Sequence, residues 1–279
     1  MSGRRGGIAI LDDDELKLMR RAGLVVARGL RDMIAAAVPG GTTREVDAVG
    51  AEAIARAGAV SSFLGYAPGG MTPFPAVSCQ SVNDEVVHGI PSDRVLAPGD
   101  LLSIDFGASL GGYHGDAARS TTIGEAAPAV AKLNADTEAA LWAGIAAVRP
   151  RGTIGDISAA VERSLRRSGR YGILRGYCGH GIGRNMHQDP DIPNFGPPGR
   201  GPKILPGMCL AIEPMTTLGA YRTKVLDDGW TVATADGSTG CHWENTVVLT
   251  KNGLWVLTEE DGGEAALARL GLKFGPMAD

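Results

Sequence analysis

Pro98-Gly99-Asp100-Leu101-Leu102-Ser103-Ile104-Asp105 is written a second time, 108 residues later, as Pro206-Gly207-Met208-Cys209-Leu210-Ala211-Ile212-Glu213. Pro-Gly opens both copies and a carboxylate closes both. Leu102 and Ile104 in one copy, and Leu210 and Ile212 in the other, alternate as a strand with one buried face requires. The opposite face carries Ser103 and Asp105, matched by Ala211 and Glu213. A carboxylate beside a small residue near a strand end, made twice, points to one site fed symmetrically from two halves.

Outward from the first copy, Leu16, Met19, Gly23, Val26, Leu30, Met33 and Ala37 recur at steps of three and four, which predicts an amphipathic helix from Asp12 to about Val38. Asp12 with Glu15 suits its start, and Pro39-Gly40-Gly41 ends it. Thr42 opens a second helix to about Ala57, which Gly58 closes. The segment from Val38 to Asp47 returns in loose form from Arg149 to Ile157, 111 residues on. Two separate pieces repeating at nearly one offset indicate duplication of a helix-helix-strand unit of about 110 residues. Helices from about Pro128 to Val148 and from Thr153 to Ser168 open the second copy.

Each half is expected to lay its helices over its own strands, with both halves sharing one antiparallel sheet. The expected class is therefore α+β with internal pseudo-twofold symmetry. Its boundaries are a short extension over 1–11, a single domain over 12–258 with pseudo-repeats of about 12–125 and 126–258, and a tail over 259–279. The sequence does not interpret that tail.

Composition narrows the function. A chain that is 44% hydrophobic and 21% charged, with net charge -4, reads as a soluble globular protein and argues against broad nucleic-acid or anionic-membrane binding. No apolar run is long enough for a secretory signal or a membrane span, so the cytoplasm is the expected compartment. Cys79, Cys178, Cys209 and Cys241 make no C-x-x-C pair and read as reduced thiols.

All five histidines fall between residues 88 and 242, among the carboxylates Asp105, Asp116, Glu213 and Glu244. Asp116 follows Asp105 by eleven positions, the distance for a hairpin to bring the next strand back. Glu244 opens the apolar run of a further strand. Four carboxylates on neighbouring strands repel by several kcal/mol at low effective dielectric. Such a cluster survives protonated, splayed, or neutralised by metal, and two divalent cations balance four negative charges. Gly179-His180-Gly181-Ile182-Gly183-Arg184-Asn185-Met186-His187 supplies the nitrogen. Oxygen-rich ligation with one nitrogen suits manganese, iron or cobalt, with zinc as an alternative. A water held between two such ions is acidified and aimed at a carbonyl, so the reaction class is hydrolysis of an amide or ester. H-E-x-x-H is absent.

Taken together, His88-Gly89-Ile90-Pro91, Ser103-Ile104-Asp105, Gly115-Asp116, Gly179-His180-Gly181-Ile182-Gly183, His187, Ile212-Glu213-Pro214 and Glu244 resemble the type I methionine aminopeptidases, of pita-bread fold, over roughly residues 12 to 255. The 26 positions from His187 to Glu213 leave no room for the helical insertion of type II, and no Cys/His-rich extension precedes the domain, as in bacterial forms. The resemblance implies that Asp105, Asp116, His180, Glu213 and Glu244 hold two divalent ions (Co, Mn, Fe or Zn), with Glu213 also moving the proton of the attacking water. It further implies that His187 stabilises the oxyanion, that His88 contacts the substrate backbone, and that Tyr66, Cys79, Met186 and Trp230 line the pocket for the first side chain.

The implied activity is removal of initiator methionine, with the N-terminal segments of nascent polypeptides as substrates and the ribosome as a further partner. The protein is expected to be a monomer that binds neither nucleic acid nor membrane. Three positions depart from the family pattern. The stretch 67–78 is longer than usual, Asn245 stands where a histidine normally follows the last ligand, and His242 stands near a usual glutamine. The departures leave open a relative with another first-residue or dedicated-peptide specificity. An inactive binding relative is the other alternative, and such proteins lose ligands, whereas all five are present.

Overall fold

The helices begin where the side chains can stop them fraying. Asp12 and Thr42 each accept a hydrogen bond from the backbone N–H three residues on, and Glu15 and Glu45 accept one from the cap's own N–H. In the second half Asp156 accepts from the Thr153 N–H in the same way. Gly58 closes its helix in the left-handed conformation, at φ 61°.

The computed structural model describes residues 7–277, so part of the expected extension over 1–11 lies outside the described residues. The first half runs α1 (Asp13–Ala36), α2 (Thr43–Ala57), β1 (Val60–Ser61), a 3-10 turn at Pro68–Gly70, β2 (Ser78–Val82), β3 (Glu85–Val87), β4 (Leu101–Leu110) and β5 (Tyr113–Thr122). The second opens again on two helices, α3 (Pro128–Ala146) and α4 (Ile154–Ser168). There follow β6 (Gly172–Ile173), β7 (Gly179–Gly181), β8 (Gln188–Ile192), β9 (Cys209–Ile212), β10 (Met215–Thr217) and β11 (Thr223–Val225). Then come β12 (Val232–Thr234), β13 (Gly240–His242), β14 (Asn245–Leu249), β15 (Leu254–Val256) and α5 (Glu264–Arg269). Helix, helix, strands thus occurs twice, as the repeat in the sequence requires.

Each half buries its own apolar face. Leu102 and Ile104 of β4 pack with Val26, Leu30 and Met33 of α1 and with Val46 of α2. Leu210 and Ile212 of β9 pack with Leu141 and Ile145 of α3 and with Ile157 and Val161 of α4. The contact of α1 with β5 is close enough that a Cβ on Gly115 would lie 2.7 Å from Gly23 N. With the helices covering one face of these strands, Ser103, Asp105, Ala211 and Glu213 are left on the other.

One expectation is corrected. Among the described residues the strands form not one continuous sheet but four antiparallel ones, two of them large: β1-β4-β2 with β5 on β4, and β15-β14-β9-β7-β8. The small sheets are β13-β10-β6 and β11-β12-β3. Where the halves meet, single hydrogen bonds replace a ladder: Glu244 N donates to Ala118 O (2.9 Å), Thr246 Oγ1 to Asp116 O (2.8 Å) and Ser120 Oγ to His242 O (2.8 Å). At this seam β14 and β13 lie against β5. Asp116 and Glu244 flank it.

Beyond Thr258 the chain continues the packing. Leu267 of α5 is fully buried in the core that holds Leu210, and Phe274 makes a parallel bridge with Leu254. At the other end Leu11 N donates to Gly207 O (2.9 Å), and Leu11 packs beside Leu16.

Candidate metal centre

Strand register decides which carboxylates meet. Asp105 pairs with Ala118 across the β4–β5 ladder and Asp116 with Gly107. The two acids are therefore diagonal neighbours on one face, not direct partners, which relieves part of their repulsion. In the second half His180 pairs with Ala211, two positions before Glu213 and on the same face. Asn245 pairs with Ile212, so Glu213 and Glu244 stand at the end where that ladder opens.

Glycines flank His180 because nothing larger fits. A Cβ on Gly179 would overlap Ala211 O, and one on Gly181 would overlap Asp189 O. The spacing of seven to His187 is a hairpin: Gly181 pairs with Gln188, and the rings of His180 and His187 come to 4.3 Å between centroids. His88 follows the end of β3 with φ +61°, a left-handed conformation that costs a residue with a β-carbon energy. Its ring lies edge-on to Tyr177 and Trp230, at 5.6 and 6.2 Å.

These side chains line one cavity of about 310 Å³. At one end stand Asp105, Asp116, His180, Glu213 and Glu244, with ligand atoms of Asp116, His180 and Glu244 all within 4.8 Å of one another. His180 Nε2 is 3.6 Å from Glu213 Oε1. At the other end Phe63, Tyr66, Phe74, Cys79, Met186 and Trp230 form an apolar cluster rich in sulfur and aromatic rings. His88 and His187 lie along the wall, and Tyr66 Oη is 2.8 Å from His187 Nδ1. All eleven residues singled out in the sequence reach this cavity. The long stretch 67–78 reaches it too: Pro68 and Met71 are exposed lining residues, Phe74 is buried in the apolar cluster, and Trp230 Nε1 donates to Thr72 O (2.9 Å).

Burial and mutual repulsion set the protonation. Desolvation, then the charge of Asp116, pushes Asp105 well above the usual carboxylate range. Asp116 is pushed up to about 7 by desolvation. Glu213 and Glu244 rise well above their usual range, by desolvation first and their acidic neighbours second. The imidazoles move the other way: desolvation, then the neighbouring His187, takes His180 down to about 3 and His88 to about 4. Neutral imidazoles beside carboxyls that cannot all ionise are the donor set of a cation site. Asp105 Oδ1, Asp116 Oδ1 and Glu244 Oε1 are buried with no hydrogen-bond partner, which is costly unless something else satisfies them. Divalent cations fit that demand in charge and in donor type.

Some residues of the site were not legible in the sequence. His242, noted there only as a departure, is buried on the cavity wall with Nε2 3.3 Å from Glu213 Oε2. Arg119 lies behind Glu244: it donates to Glu244 O, to Asn245 Oδ1 (2.8 Å) and to Glu259 Oε1 (2.7 Å). Asn245 thus belongs to a supporting network, not to the cavity lining. His114 is also off the cavity, 2.8 Å from Ser62 Oγ through its Nδ1. Arg119 stands three positions after Asp116 and Glu259 opens the acidic run Glu259-Glu260-Asp261, but neither has a local periodicity that would join them.

The chain is similar to known proteins over most of its length. The pattern of metallopeptidase family M24 matches residues 17–251. The chain is 51% identical over 250 residues to methionine aminopeptidase 1 of Mycobacterium tuberculosis, covering 88% of this chain and 92% of that one. It is 46% identical to the methionine aminopeptidase of Clostridium acetobutylicum, covering 90% and 98%. The crystal structure of methionine aminopeptidase from Thermotoga maritima superposes with a TM-score of 0.87 at 39% identity, over 91% of this chain and all of the other. The fold is accordingly pita-bread, as the resemblance in the sequence implied.

Proposed function

Since the chain belongs to metallopeptidase family M24 and, within it, to the type I methionine aminopeptidases, which are metal-dependent hydrolases, we propose that it removes initiator methionine from new proteins and peptides with two divalent cations. Asp105, Asp116, His180, Glu213 and Glu244 would hold the cations. When bound, such a pair supplies Lewis-acid chemistry: it makes water acidic at neutral pH and polarises the carbonyl to be attacked. The observation that carries this reading is the meeting, in one cavity, of an orphaned carboxylate cluster with an apolar cluster of sulfur and aromatic side chains.

The chain's own residues divide the remaining work. Phe63, Phe74, Cys79, Met186 and Trp230 receive the first side chain, and a flexible thioether suits a wall of sulfur and aromatic rings. Cys79 pairs with Asp105 across the β2–β4 ladder, so the pocket ends where the carboxylates begin. Glu213 takes the proton of the attacking water and returns it to the leaving amine. Tyr66 Oη lies 2.8 Å from His187 Nδ1; in the tautomer that carries its proton on Nε2, His187 accepts from Tyr66 and gives the Nε2–H as a hydrogen bond to the carbonyl oxygen as charge develops there. His88 contacts the substrate backbone from the opposite wall. The cytoplasm, where new chains emerge, is the proposed place of this work; no described helix is long and apolar enough to cross a membrane.

The test is mass spectrometry of a Met-Ala-Ser peptide incubated with protein loaded in turn with manganese, iron, cobalt and zinc. Release of methionine is expected, and an intact peptide with every metal overturns the reading. A second reading, another first-residue preference, is favoured by the long stretch 67–78, which puts the exposed Met71 and the buried Phe74 on the cavity lining. A panel of peptides varying the first two residues separates the two.

A further inference from the structure

We propose that His242 is a positioning residue for Glu213, its imidazole holding Oε2 of that carboxylate so that Oε1 faces His180 and the cation-binding cluster. Glu213 has an imidazole on each oxygen: His180 Nε2 at 3.6 Å from Oε1 and His242 Nε2 at 3.3 Å from Oε2. Its carboxylate makes no hydrogen bond among the described residues; only its main-chain oxygen is held, by Asn194 Nδ2 at 2.9 Å. Three rotatable bonds between backbone and carboxylate would otherwise leave the group that carries the proton free to swing.

His242 is built to prevent that. It is 2% exposed, and neither ring nitrogen has a hydrogen-bond partner among the described residues, so Glu213 is the polar group at which the ring is aimed. A buried imidazole with no partner is costly, and a small rotation of either side chain turns the 3.3 Å approach into a hydrogen bond. The backbone of His242 is fixed: Ser120 Oγ donates to its carbonyl at 2.8 Å, and it pairs with Met215, two residues after Glu213. Its Nε2 approaches Oε2 of Glu213, while His180 lies on the side of Oε1, so His242 is assigned to the carboxylate and not to the ion, as groups that orient a ligand from behind are.

The inference rests on the reading of Glu213 as proton carrier and ligand, and its test separates the two. H242Q keeps an N–H to donate, H242M removes it while filling the space, and both are compared alone and, for H242M, combined with E213Q. Manganese affinity by titration calorimetry and kcat and KM on Met-Ala-Ser are read. H242M is expected to weaken manganese binding about 10-fold and to lower kcat about 10- to 100-fold with KM within about twofold, as loss of a supporting group does. H242Q is expected to keep both within about threefold, and H242M to change manganese affinity by less than about twofold in the E213Q background, because a shared role is lost only once. If H242M does not fold, H242N, whose shorter amide falls short of Glu213, replaces it with the same expectation. Wild-type affinity and kcat in H242M, or the same loss of affinity with and without E213Q, overturns the proposal alone. E213Q at wild-type kcat overturns the role of Glu213, and the proposal with it.

Discussion

A methyl group on Gly107 would lie 3.1 Å from Asp116 Oδ1, because the two residues are direct partners across the β4–β5 ladder. The absent side chain is what lets the carboxylate of Asp116 stand on the cavity face. The same methyl would press on the Phe63 ring at 2.9 Å and on Ser62 Cβ at 3.0 Å. Gly107→Ala is therefore expected to weaken metal binding at least about 10-fold and to cost about 1–3 kcal/mol of stability by overpacking. Calorimetric titration with manganese and urea unfolding check both; unchanged affinity would show that Asp116 does not depend on this clearance.

Metal binding should release protons. Because Asp105, Asp116, Glu213 and Glu244 are all pushed above their usual range, the metal-free protein carries protons at neutral pH that a cation must displace. Binding enthalpies measured at pH 7 in buffers of different ionisation heat should differ in proportion; equal enthalpies count against the cluster as the binding site.

The same shifts set opposite pH trends for the two forms. A carboxyl raised in the folded state contributes stability that is present below its unfolded pKa and lost as pH rises through its folded one, about 7 for Asp116. Between pH 8.5 and 7.5 the lowered histidines are nearly all neutral in both states and oppose this little, and the gain there rests on Asp105, Glu213 and Glu244. The metal-free protein should thus melt higher at pH 7.5 than at pH 8.5. The metal-loaded protein should do the reverse, since the cation needs ionised ligands. Below that window the histidines charge in the unfolded chain and offset the gain. Differential scanning calorimetry with and without chelator reads the crossing trends.

Arg119→Met removes the group that ties Glu244 O, Asn245 and Glu259 together. Arg119 is 12% and Glu259 30% exposed at the side chain, so the partners left behind are poorly hydrated. A loss of about 2–3 kcal/mol in chemical unfolding is expected, together with weaker metal binding, because Glu244 loses its support. Full stability in the variant would reduce the network to a surface ion pair.

Trp230→Phe keeps an aromatic wall but drops the N–H that holds Thr72 O, the anchor of the long stretch on the cavity lining. A released stretch should raise KM several-fold for peptides with methionine first while kcat stays near wild type, since nothing at the carboxylate end has changed. A fall in kcat at constant KM would place the role of Trp230 in the chemistry instead.

The sequence by itself determined what is local or periodic. Steps of three and four predicted α1, the Asp12–Glu15 and Thr42 starts predicted the helix N-termini, and strand alternation put Ile104 and Ile212 inward with Asp105 and Glu213 on the far face. The repeat at one offset carried the two-half architecture, and the motif set carried the family. These signals survive in one dimension because a helix turn or a strand pleat involves neighbours only. Tertiary structure alone decided the rest: that Asp116 faces Gly107 and not Asp105, that the sheet divides at the seam, and that His242 lies against Glu213. It also decided that Arg119 and Glu259, 140 positions apart, brace Glu244 from behind. Such relationships depend on ladder register and on how two twisted sheets meet, and neither leaves a period in the chain from which it could be read.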